Sequence, residues 1–154
     1  MKQFLTIFSL AALVCGCRDS RPAQDPVPKG PPHGGTPVAV GKHKYNLEFV
    51  RDADAGAMQA YLMDAHFEKF VSVPETNFTL LAKIEGREER AEFRQLPAIP
   101  PSPNGSSYQF AARGEWIKMA TNFEAVIPTI TLKGRTYTNI AFRFPEGLTE
   151  EHDH

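Results

Sequence analysis

Residues 42–63 read KHKYNLEFVRDADAGAMQAYLM, and their spacing decides the fold. His43, Tyr45, Leu47 and Phe49 fall on one side of an extended chain, with Lys44, Asn46 and Glu48 on the other. A period of two is the pattern of a half-buried strand. Residues 52–56, DADAG, form a turn in which Gly56 is free to take positive φ. Residues 57–63 then make a second strand, and the two form a hairpin.

The same pattern continues toward the C-terminus. Residues 70–73 predict a short strand that stops before Pro74. Residues 76–84 predict a strand closed by Glu85-Gly86, and residues 88–96 an edge-like strand in which Ala91 and Phe93 alternate with charge. Residues 97–107, PAIPPSPNGSS, carry every turn signal. Residues 108–112 and 116–120 flank a turn at Gly114, with a short helical piece expected around Glu115 to Met119. Residues 123–127 and 129–132 read as strands broken by Pro128, and Lys133-Gly134-Arg135 turns the chain into a last strand over 136–144. Seven to nine short strands with regular turns predict an all-β fold, an antiparallel β-sandwich of immunoglobulin-like size. The Cys…Trp…Cys spacing of antibody domains is missing, so only the architecture is implied.

Before the strands, the chain opens MKQFLTIFSLAALVCGC. A positive Lys2 and an apolar run too short for an ordinary membrane span are the parts of a secretion signal. The run ends Gly16-Cys17, a small residue before a cysteine, as in a bacterial lipobox. Residues 1–16 are therefore expected to be removed and Cys17 to carry lipid. A plain cleaved signal next to a free cysteine is the alternative. Residues 17–36 include the Pro-rich stretch RDSRPAQDPVPKGPP, which lacks the apolar residues to bury a core and reads as a tether. The folded domain is expected over residues 37–146 and an acidic, histidine-containing tail over 147–154. The expected location is the cell envelope, facing the periplasm and held to a membrane by the lipid.

Charge and cysteine usage exclude several chemistries. Removing residues 1–16 takes away one charged side chain, Lys2, and moves the net charge from −1 to −2. That balance gives no reason to expect a nucleic-acid partner. Both cysteines, Cys15 and Cys17, lie at the signal, so the domain has no disulfide, no thiolate zinc site and no cysteine nucleophile. No G-x-S-x-G, Gly-rich phosphate loop or H-E-x-x-H occurs. Met58, Met63 and Met119 are too scattered for a copper box and read as core. No catalytic machinery can be assembled, and enzymatic activity is not expected.

What remains is histidine and carboxylate. His33 lies in PPHGG, whose glycines allow the backbone to fold back on the domain. His43 begins the first strand and His66 follows the second, so hairpin pairing brings both to one pole, within reach of His33. If residues 57–68 are extended, Asp64, His66 and Glu68 project from one face. Imidazoles with one carboxylate form a standard zinc set, and imidazole also suits copper. Asp64 or Glu68 could ligate directly or hold an imidazole N–H. The plain alternative is the wet end of a strand. In the tail, His152 and His154 between acids could chelate a cation without any fold, or simply be a solvated terminus.

Residues 32–73, PHGGTPVAVGKHKYNLEFVRDADAGAMQAYLMDAHFEKFVSV, resemble small bacterial periplasmic lipoproteins. Those proteins carry a PHGG-T opening, a strand ending E-hydrophobic-V, and a hairpin strand of the form (A/V)-Y-(V/L)-L-D-x-H-x-E. The resemblance implies an accessory of heavy-metal homeostasis, acting beside efflux components. It matches His33, His66 and Glu68 to motif positions, leaves His43 where the pattern is looser, and puts Met63 in place of a leucine. The expectation is a lipid-anchored protein that binds copper or zinc for buffering or for transfer to an efflux or envelope partner. The alternative is a protein-interaction module of the envelope that uses no metal.

Overall fold

A computed structural model of the chain describes residues 30–148. Strand β1 spans Thr36–Val40, β2 Tyr45–Asp52, β3 Ala57–Asp64, β4 Asn77–Ile84 and β5 Arg87–Gln95. They are followed by β6 Gln109–Arg113, a helix α1 at Glu115–Met119, β7 Phe123–Leu132, β8 Arg135–Phe144 and β9 Gly147–Leu148. Every strand pair is antiparallel, and the spatial order is β1-β2-β3-β6-β5-β4-β7-β8-β9. The all-β, antiparallel architecture expected from the alternation is the one that forms.

The walls that pack across the core belong to one continuous sheet, curled until it is nearly a barrel. Its first and last strands touch. The Thr36 hydroxyl donates to the Pro145 carbonyl at 3.0 Å. Gly147 comes so close to β1 that a Cβ there would sit 2.8 Å from the Pro37 carbonyl. Inside, Phe49 stacks on Phe142 at 5.1 Å and meets Phe93 edge-on at 5.5 Å, while Phe78 stacks on Phe93 at 4.7 Å. These rings come from β2, β4, β5 and β8, so one aromatic cluster ties distant parts of the sheet together. Each ring fully removed from water contributes roughly 1.5–3 kcal/mol.

Several elements differ from the expectation, each for a physical reason. The first hairpin strand starts at Tyr45 because residues 42–44 turn the chain back from β1, with Lys42 at φ 53 and His43 at φ 61. Residues 70–73 make only isolated bridges, Met63 with Phe70 and Val73 with Ser107. Pro128 does not end its strand. It sits inside β7 opposite Asn139, which takes φ 53, and the ladder to β4 stops at Val126 because proline has no N–H to extend it. Strand β5 is interior rather than an edge, but only Arg94 and Gln95 are bonded to β6. The helix forms where expected. Its last carbonyls, of Ile117 and Lys118, accept from the Arg51 guanidinium at 2.6 and 2.7 Å.

Candidate functional site

On β2 the core side takes Tyr45, Leu47 and Phe49, so Glu48 points to the outer face, where a carboxylate is normally wet. Here it is fully buried. The cover is the segment before β1. Gly34 takes φ +68 and closes a turn by donating to the Pro31 carbonyl at 3.1 Å. Gly35 presses on β2 so closely that a Cβ would meet the Phe49 carbonyl at 2.5 Å. The turn points three N–H groups at one carboxylate. The backbone N–H groups of His33 and Gly35 reach Oε1 at 2.8 and 2.9 Å, and His33 Nδ1 reaches Oε2 at 2.8 Å. A buried carboxylate is tolerated only when it is bonded in this way.

The His33 ring lies on Tyr61, the residue paired with Glu48 across the ladder, at 3.9 Å and 14°. The Tyr61 hydroxyl donates to the Gln59 side-chain carbonyl, which also accepts from the Gln109 amide at 2.9 Å. Burial, then the neighbouring Glu48 carboxylate and Tyr108, push the Tyr61 phenol above its ordinary value. Beside this stack lies a second one, Phe70 on Tyr108 at 4.4 Å and 19°. Phe70 is 41% exposed, an unusual position for a phenylalanine.

The residues expected to ligate a metal are distributed differently. Because Tyr45 pairs with Asp64, the turn holding His43 and the turn holding His66 lie at one end of the β2–β3 ladder, as expected. His33 is instead bound at Glu48, three residues along β2, a displacement of roughly 10 Å. Asp64, His66 and Glu68 do not share a strand face, because β3 ends at Asp64 and Phe67 takes φ 57. The Asp64 carboxylate folds over the turn and accepts the N–H groups of His66 and Glu68 at 3.2 and 2.9 Å. Burial pushes the Asp64 carboxyl up. The N–H groups of Glu68, Lys69 and His66, with the nearby His66 ring, outweigh this and hold it below its ordinary value. Among the described residues, no three His, Cys, Asp or Glu side chains gather as a metal-holding group. Cys17, His152 and His154 lie outside the described residues.

Sequence reasoning missed Glu48, Tyr61, Phe70 and Tyr108 as a unit. The available signal was an acid and a tyrosine facing each other in a hairpin whose register the turn at 52–56 already sets. A surface hollow of about 650 Å³ lies elsewhere. It is lined in part by Thr79, Arg90, Pro128 and Thr129, and holds no histidine or tyrosine. The chain matches no protein-family profile, no curated protein and no solved structure.

Proposed function

We propose that the chain is a lipid-anchored envelope protein whose folded domain is a protein-interaction module, working through the outer face of β2, β3 and β6. The observation that carries this reading is the pair of ring stacks on that face, with Phe70 exposed at its rim. Rings held in one orientation on a sheet lose little entropy when a partner covers them, and aromatic clusters of this kind are where interface energy concentrates. The Tyr61–Gln59–Gln109 hydrogen bonds fix the floor before any partner arrives. The test is a photo-crosslinking residue placed at Phe70 in cells. Discrete adducts that survive chelator and disappear with Tyr108→Ala support the reading. Adducts no different from those of a probe at Asn122 sink it.

A transition-metal reading is favoured by one observation, the Glu48–His33 bond. A carboxylate on one ring nitrogen is the usual way to orient a ligating imidazole through the other. His33 would supply one donor to copper or zinc, and the remaining donors would come from the tail histidines or from an efflux partner. Titration of the whole chain with Cu²⁺ and Zn²⁺ decides it. Equal affinity in His33→Ala removes His33 from any such role.

A further inference from the structure

We infer that the end of the curled sheet formed by the β1–β2 and β7–β8 turns is a docking surface for an anionic lipid bilayer. The net charge of −1 conceals an uneven placement of charge along the fold. The β1–β2 turn carries Lys42, His43 and Lys44, and the β7–β8 turn carries Lys133 with Arg135 just after it. All five residues are exposed. The two turns touch. Gly41 lies so close to Tyr137 of β8 that a Cβ there would overlap the ring, and Tyr45 meets Tyr137 edge-on at 6.4 Å. At the opposite end, the turns at 52–56 and 84–87 and helix α1 hold Asp52, Asp54, Glu85 and Glu115 against Arg87 and Lys118. One end is basic and the other acidic, an asymmetry that the composition averages away.

The basic end is built rather than loose. Gly41, Lys42 and His43 take successive positive φ values of 67, 53 and 61, and the Lys44 N–H closes the turn on the Val40 carbonyl at 3.1 Å. Among the described residues the N–H groups of Lys42 and His43 meet no backbone acceptor, so they too can donate to an anion. The second turn is tied down by Glu75, which accepts the Gly134 N–H at 2.8 Å. Glu75 is the acid bonded to this pair of turns, and four cations stand against it. The neighbouring 64–69 turn adds Asp64 and Glu68 with His66 and Lys69. The cations stand on turn tips, not in a cleft, so a flat anionic surface reaches all of them at once. Each cation close to an anionic bilayer multiplies partitioning about fivefold, and four together roughly several hundredfold before screening. The inference does not use the aromatic face, whose ring stacks lie on the side wall of the sheet.

The experiment uses the chain from residue 17 onward with Cys17→Ser, so that no lipid anchor contributes. It is sedimented with vesicles of phosphatidylcholine alone or mixed with phosphatidylglycerol. Binding is expected only to the mixed vesicles, and it should fall as salt is added. A variant with Lys42→Gln, Lys44→Gln, Lys133→Gln and Arg135→Gln should lose at least about tenfold in partitioning. A matched variant with Lys83→Gln, Arg87→Gln, Lys118→Gln and Arg143→Gln changes the net charge equally but away from this end, and should keep wild-type binding. All eight residues are exposed, and an unchanged urea midpoint confirms that both variants fold. Equal losses in the two variants would reduce the effect to net charge and overturn the proposal. Wild type that ignores phosphatidylglycerol at low salt overturns it as well. Retention on heparin without vesicle binding would assign the turns to an acidic polymer and reject the bilayer. Crosslinking at Phe70 is read on the side wall, so the two readings fail separately.

Discussion

Glu48 exchanges water for three N–H groups, and each of those groups exchanges water for Glu48. Hydrogen bonds to a charged group contribute about 1.5–3 kcal/mol, against about 1 for neutral ones. Glu48→Gln keeps the shape and removes the charge. It is expected to lose about 1–2 kcal/mol, read from the midpoint of urea unfolding. Asp64 provides a pH test. Its carboxyl is lower in the folded state, so its stabilisation is present above its unfolded value and fades as pH falls through the folded one. Wild type should therefore exceed Asp64→Asn in stability at neutral pH, with the gap closing below about pH 4. A gap that widens in acid would refute the turn-capping role. Of these two acids, the sequence marked Asp64 as special but for the wrong geometry, and it concealed Glu48 altogether. A charge at an alternate strand position reads as solvent-facing. Its burial depends on a turn 13 to 15 residues earlier, beyond the range of any local pattern.

The turn over residues 31–35 works as an element because its two glycines do different jobs. Gly34 needs its positive φ but faces open space. Gly34→Ala should cost about 1–2 kcal/mol from the left-handed backbone alone. Gly35 has no room, since its Cβ would overlap the Phe49 carbonyl and the Val50 side chain. Gly35→Ala is expected to unseat the turn. Hydrogen exchange at the His33 and Gly35 amides should then rise to the rate of an exposed loop, while β4 and β5 keep their protection. Equal protection in the two variants would show that the contact is not needed. Strands β2 to β5 and the helix were legible because alternation and turn residues agreed. Strand β1 was not, because Lys-His-Lys prolongs the alternation through what is a turn, and no side-chain pattern announces the positive φ of His43.

For the molecule as a whole, stability must come from the core, because residues 30–148 contain no cysteine. Phe49 is fully buried and touches rings from β4, β5 and β8. Phe49→Ala should cost about 3–5 kcal/mol and lower Tm by far more than Phe70→Ala, whose ring is half in water. Comparable losses from the two would contradict the core assignment. The order of contacts along the chain has a mechanical consequence. Any tension arriving through the amino-terminal segment meets the clamp on Glu48 before it meets the β1–β2 ladder. That clamp is a handful of bonds loaded one after another, whereas the sheet behind it is a cooperative body. Under traction the turn yields first, adding a few residues of slack and sparing the domain, so Glu48 serves as the fold's strain relief.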